Sequence, residues 1–430
     1  MWWCSFNAMK LSPLKALRLS RLPVTRRLRD CHHWAEGMNR HSYPFKERVK
    51  LAAWRGFNNA VDWARRPIRR SRILLVTGDA GQAKSTEVES RLRFLFEYLG
   101  AVPDFDTAHN ASLLSYLRYQ AVAAVDAPAV PVRISRNVRW VADLDYEANP
   151  NDGWALMELG TALSRRELES TIAAGRQAFI ERVCGIKAAG PRPVYLFGTG
   201  PSLESARNRS FSDGTTVVCN TIVRDPELWH HLKPSFFTAS DAIYHFGHNA
   251  HARAFRADAL RRLQESAGRT LFVYPAVFDV VVRSEFQDVN GSLVPIPWGE
   301  HDDVTVDLAN LFMLPHVGNV LNAMLLPIGC TLGTDIRLWG FDGRAPADSG
   351  FWSNSSRHAY PELMQSIREA HPAFFADLVP PGRENQYVKQ VHGGLLDERL
   401  REAEGRGFQF RMLHRSWTPT LNKRYRDEGL

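Results

Sequence analysis

Pro193-Val-Tyr-Leu-Phe-Gly-Thr-Gly-Pro-Ser-Leu203 is the stretch on which the fold turns. Val194–Phe197 is a short run of consecutive apolar residues, too short for a helix and suited to a strand buried on both faces. Gly198 and Gly200 permit a tight turn, Pro201 fits the first position of a helix, and Ser202 adds a hydroxyl donor. A strand, a glycine turn and a helix start in that order open a strand-helix-strand unit.

Working outward, strand signals recur at 216–220, 236–239, 271–274, 336–341 and 408–413, with helical spacing at 202–207, 226–232, 252–265, 318–326, 361–370 and 395–404. This alternation predicts an α/β fold over residues 191–430, a doubly wound, Rossmann-like and mainly parallel sheet. Upstream, Arg72-Ile-Leu-Leu-Val-Thr77 ends at Gly78 and reads as another buried strand, followed by a helical pattern over 85–99. An apolar run at 138–141 and a helical stretch from Trp154 to Lys187 follow, and Gly190-Pro-Arg-Pro193 breaks the pattern. The expected organisation is a basic arm and linker (1–70), a smaller accessory α/β region (71–190) and the main domain (191–430).

The chain has 430 residues and a formal charge of +8, of which +7 lies before Asp30. Lys10, Lys15, Arg18, Arg21, Arg26, Arg27 and Arg29 are interleaved there with leucines and preceded by Trp2 and Trp3. That segment suits peripheral contact with an anionic membrane, the inner face of a plasma membrane, as well as it suits a solvated arm. It is too interrupted for a spanning helix or a secretory signal. No nucleic-acid-reading motif accompanies the charge, so a nucleic-acid partner is not expected. Cys4, Cys31, Cys184, Cys219 and Cys330 are widely separated, which argues against a disulfide scaffold or a cysteine zinc site and for a cytoplasmic setting. His230, His231, His245, His248 and His251 lack metal-ligand spacing, so no metal and no cofactor is expected.

Two glycine loops compete for phosphate. Gly78-Asp-Ala-Gly-Gln-Ala-Lys84-Ser85 resembles a phosphate-binding loop but has Ala83 where the second glycine belongs. An ordinary strand-to-helix turn with Lys84 exposed in the first turn of the helix is the preferred reading, and an ATP-dependent activity at this loop stays an alternative. Gly198–Ser202 offers backbone amides and the Ser202 hydroxyl at a helix start, an arrangement that favours anions. Asn220 and Asp241 fall at the carboxyl ends of the next two predicted strands, the edge where open α/β sheets bind ligands. Asn220 can donate and accept, whereas Asp241 only accepts when ionised. A strand-end turn and a helix cap are their plain structural readings.

Gly198–Leu203, Val218-Cys-Asn220, Gly318-Asn319 opening an apolar helix, Ile336-Arg-Leu-Trp-Gly-Phe-Asp342, Ser353-Asn-Ser-Ser356, and His392 ahead of Asp397–Glu404 stand in one order. In that order they resemble the motifs of the bacterial sialyltransferases of glycosyltransferase family 42. The resemblance spans about Pro193 to Ser416. It implies a modified GT-A type sheet, a CMP-activated sugar donor, a glycan or lipid-linked acceptor, inversion at the transferred carbon and independence of metal. By the same resemblance, Gly198, Thr199, Gly200, Pro201, Ser202, Asn220, Asp241, Gly318, Asn319, Asp342, Trp352, Ser355 and Ser356 would bind the nucleotide. His392 would be the general base, and His358, with Arg357 or Ser356, would meet the departing phosphate.

The chain departs from that pattern at Thr199 and Asp241, at Gly318-Asn319, and at Trp352 and His358, where the family carries tyrosines. A strand-end aspartate beside a G-x-G-P-S-L loop also resembles the MptE-like pyrophosphokinases. An ATP-dependent pyrophosphokinase, or a nucleotide-binding protein without catalysis, therefore stands as the alternative.

Overall fold

Every strand pairing among the described residues of the computed structural model is parallel. The structure describes residues 70–77, 82–100, 104–110, 118–124, 141–143, 157, 161, 164–299, 304–315, 317, 319–343, 345, 360–370 and 394–427. These form two compact units that divide between Ser164 and Arg165. The basic arm, including the seven bases before Asp30, lies outside the described residues.

The first unit contains strands β1 (Arg70–Val76), β2 (Asp104–Ala108), β3 (Tyr119–Ala124) and β4 (Val141–Asp143), with helix α1 (Gln82–Tyr98) after β1. Their order is β2-β1-β3-β4. Ile73, Leu74, Leu75 and Val76 are buried, as a strand inside a parallel sheet requires. Residues 78–81 of the Gly78–Ser85 loop lie outside the described residues, and Lys84 and Ser85 fall in the first turn of α1.

The second unit opens with α2 (Arg165–Ala188) and continues through β5 (Val194–Phe197), β6 (Thr215–Cys219), α3 (Pro226–Leu232), β7 (Phe236–Thr238), α4 (Ala250–Ser266), β8 (Leu271–Pro275), α5 (Asp279–Glu285) and β9 (Leu293–Ile296). It ends with α6 (Leu326–Leu332), β10 (Asp335–Trp339), α7 (Met364–Ala370), α8 (Leu395–Gly405), β11 (Gln409–Met412) and α9 (Pro419–Lys423). The sheet order is β11-β10-β5-β6-β7-β8-β9. From β5 the chain steps outward to β9 on one side and returns with β10 on the other, which makes the β5/β10 boundary the topological switch point.

Local chemistry explains the elements. The four residues of β5 are completely buried, and Leu196 pairs with Val217 on one side and Leu338 on the other. Asp225 and Asn249 cap α3 and α4, accepting from Leu228 N at 2.9 Å and Ala252 N at 2.8 Å. Pro295 sits inside β9, which is tolerated because β9 is an edge strand with only β8 beside it.

Sequence spacing puts the domain break at Gly190–Pro193, whereas the units divide at residue 164/165 and α2 joins the larger sheet. The cause is packing. Helix α2 lies along β9, and its buried Phe179 meets the rings of Phe236 on β7 and Phe312 at 5.5 and 5.8 Å. The segment 201–208 is a 3₁₀ rather than an α-helix, and α6 is preceded by a π-wound turn, Leu321–Leu325.

Replacing Phe179 with alanine removes a ring in contact with both β7 and the Phe312 segment. The expected loss is about 3–5 kcal/mol of unfolding free energy, read from the urea midpoint of the full chain.

Candidate functional site

The loops after β5, β10 and β11 meet at the switch point and are clasped there by hydrogen bonds. Gly198 N–H donates to Trp339 O at 2.7 Å, and Gly200 N–H to Gly340 O at 2.8 Å. Ser202 donates its amide to both carboxylate oxygens of Asp342 at 3.2 Å and its hydroxyl to Oδ2 at 2.9 Å. Trp339 Nε1 closes the ring by donating to Ser202 O at 2.9 Å. The loop after β11 is strapped on by Ser416 Oγ, which donates to Phe341 O at 2.7 Å, and by Trp417 N, which donates to Asp342 O at 2.6 Å.

This geometry changes what the glycines are for. A methyl at Gly198 would lie 2.6 Å from Gly340 O, and one at Gly200 would collide with the Asp342 carboxylate. Gly340 itself holds φ at 78°. The bare backbones let two loops of the same chain cross in contact. The amides of Gly198, Gly200 and Ser202 are taken up internally, and Pro201 has none to offer. In this structure the Asp342 carboxylate caps the 3₁₀ segment as an anion would.

His414 completes the clasp. Its Nε2 accepts from Gly340 N–H at 2.9 Å, and its Nδ1 faces Arg415 O at 2.8 Å, so the proton is on Nδ1. Ser202 Oγ lies 2.7 Å from Nε2. The trio resembles a nucleophile-base-acid set, but the carboxylate bonds the serine while the imidazole Nδ1 bonds a carbonyl. That order ties the loops after β5, β10 and β11 together. His414 and Trp417 carry no signal in the sequence pattern that marks them for this place.

The remaining predicted residues divide into framework and unpaired groups. Asp241 Oδ1 accepts from the Ile243 and Tyr244 amides at 2.8 Å each, and its own N–H donates to His245 Nδ1 at 3.1 Å. Its carboxylate therefore organises the turn after β7. Asn319, with φ at 60°, accepts from Asn322 N at 2.9 Å and starts the π-wound turn. Asn220 is different: it holds φ at 52° directly after β6, and its Oδ1 is buried with no partner among the described residues. The hydroxyl of Thr238 and both polar atoms of the Asn322 side chain are likewise buried and unpartnered. Thr199 lies in the clasped turn, while Gly318, Trp352, Ser355, Ser356, Arg357, His358 and His392 lie outside the described residues. Among the described residues no group of three or more His, Cys, Asp or Glu side chains is arranged to hold a metal ion. No helix among them is long and apolar enough to cross a membrane.

Comparison with protein-family models, with curated proteins and with solved structures gave no match.

Removing the Asp342 carboxylate leaves the Ser202 amide without its acceptor and the clasp open. Asp342→Ala is expected to cost about 1–3 kcal/mol in urea unfolding, with Asp342→Asn losing less.

Burial holds the pKa of His245 well below the usual imidazole range, with His251 adding repulsion, and burial also lowers His251 and His414. Each stays neutral in the fold and gains its proton on unfolding below about pH 6.5. Their contribution is complete above that pH and is lost as pH falls below it. Asp279, pushed up to about 6 by burial, acts in the opposite sense and begins to offset the loss only near that pH. The thermal midpoint should therefore fall as pH drops from about 7.5 to about 6, and a His245→Gln variant should show a flatter slope.

Proposed function

We propose that the second unit is an inverting glycosyltransferase that moves a sialic-acid-like sugar from a CMP-activated donor to a hydroxyl of a glycan or lipid-linked acceptor. The observation that carries this reading is the unpartnered Asn220 Oδ1 at the carboxyl edge, one strand from the switch point of an all-parallel sheet. That edge is where such sheets take nucleotides. Asp342 contributes as an acceptor, since its side chain keeps 19% exposure beyond the clasp and can take a hydrogen bond from a ribose hydroxyl.

With the Gly198, Gly200 and Ser202 amides taken up, the departing phosphate is met by His358, with Arg357 or Ser356. His392 takes the proton of the acceptor hydroxyl as its oxygen bonds the anomeric carbon. The bond from that carbon to the phosphate oxygen breaks, and CMP leaves with the electron pair. Hydrogen bonds to the leaving phosphate lower the barrier only if they strengthen as its charge grows, a role suited to His358 and Arg357. The basic arm, on this reading, brings the enzyme to an anionic membrane that holds the acceptor.

A thermal-shift panel of CMP, CDP, UDP, GDP and ATP on the full chain tests the donor class, and CMP is expected to raise the midpoint most. His392→Ala should keep the CMP shift and lose sugar transfer by a factor of about 100 or more. Absence of any CMP shift, together with no hydrolysis of a CMP-sugar, would sink the proposal. A shift with ATP alone would favour the phosphokinase alternative.

A further inference from the structure

The carboxamide of Asn322 is the least expected group in the second unit. It sits in Leu321-Asn-Ala-Met-Leu-Leu-Pro-Ile328, where each residue is buried, and is itself 3% exposed. Its backbone N–H is capped by Asn319, yet neither side-chain atom has a partner among the described residues. A buried amide unpaired at both ends is costly, and π-wound turns such as 321–325 recur at functional sites.

Its level in the fold follows from the glycines of α6. A methyl at Gly333 would touch Val194 and one at Gly329 would touch Leu196, each at 3.2 Å. Four helix residues thus match two strand residues in the opposite direction, as their rises of about 1.5 and 3.3 Å require. Asn322 precedes Gly329 in the same run and therefore lies further toward the carboxyl edge.

The sheet face beneath is fixed by alternation. Leu196 faces α6, and its register partners Val217 and Phe236 share that face, so Cys219 and Thr238 face it too. The 321–325 turn packs on β6. The unpartnered Thr238 hydroxyl, completely buried, and the Asn322 carboxamide therefore lie in one layer between the sheet end and the π-wound turn, with Asn220 Oδ1 at the end of the strand between.

We infer that Asn322 reads the base of the bound nucleotide, its carboxamide pairing with the planar donor-acceptor edge of a nucleobase, with Thr238 as a second contact in the same layer. The inference rests on the reading of this edge as a nucleotide site and adds the residue that would choose among bases. A carboxamide suits that task because it presents one donor and one acceptor side by side, matching a base edge in two parallel hydrogen bonds.

The experiment titrates CMP, UMP, AMP and GMP into the full-length wild type, Asn322→Leu and Thr238→Val by calorimetry, alongside their thermal midpoints. Asn322→Leu keeps the volume and removes the unpaired amide, so its midpoint is expected to equal or exceed that of the wild type. Its Kd for the preferred nucleotide should rise about tenfold or more, and the preference among bases should collapse. Thr238→Val should also keep its midpoint and bind more weakly. If the wild type binds one nucleotide selectively and Asn322→Leu binds it equally well with the same preference, Asn322 reads nothing and the inference fails alone. A lowered midpoint for Asn322→Leu would give the amide a structural role and also overturn it. If the wild type binds none of the four, the nucleotide reading of the edge falls and takes the inference with it.

Discussion

The Asp342 carboxylate on Ser202 is the constraint around which the carboxyl edge of the large sheet is arranged. One acceptor from the loop after β10 satisfies the exposed start of the 3₁₀ segment after β5, and the backbone of the same residue holds the loop after β11. Three loops far apart in sequence thereby become one rigid rim. The arrangement also carries an electrostatic consequence. Two unit negative charges about 4 Å apart repel by roughly 4 kcal/mol near a protein surface. A phosphate placed in the Gly198–Ser202 turn would meet that repulsion while the Gly198, Gly200 and Ser202 amides are engaged by internal acceptors. On the proposal above, a nucleotide at this edge would present neutral, hydrogen-bonding parts to the glycine turn.

How much of this the sequence shows depends on how local the cause is. Strand β5 and helix α3 are legible to the residue, because an apolar run bounded by glycine, or an Asp-Pro helix start, is a property of a few neighbours. Strand β9 is hidden by Pro295, which argues against a strand unless one knows that the strand lies at an edge. Helix α5 is hidden by Val280-Val-Val282, whose β-branched run favours a strand until tertiary packing overrides it. The domain break is displaced because a Gly-Pro cluster ends a helix as readily as it ends a domain.

The site shows the same division at finer grain. Gly198 and Gly200 announce close approach by something, but sequence does not say whether that something is a ligand or a loop 140 residues onward. Only the Asp342 contact decides it. Asp241 reads as strand-end polarity and Asn319 as a helix start, and the structure gives both side chains to nearby amides. Asn322 has a usable signal: a lone amide within an apolar stretch that is hydrophobic on every helical face. That pattern has no purpose in packing, and it becomes informative once the helix is known to be buried all round.

Polar groups at this edge thus fall into two sets, and the contrast between them is the strongest structural argument about the site. Asp342, Asp241, Asn319 and His414 are paired with backbone or side-chain partners and hold the frame. Asn220 Oδ1, Thr238 Oγ1 and the Asn322 carboxamide are buried and unpaired. Each unpaired group costs about 1–3 kcal/mol, so together they approach the net stability of a typical domain, roughly 5–15 kcal/mol. An apolar residue of similar volume would remove that cost. Here Asn220 and Thr238 end neighbouring strands, and Asn322 tops the helix that crosses the same face. On the proposal above, these three groups would pair with a planar partner that brings its own donors and acceptors, while the paired set holds them in register.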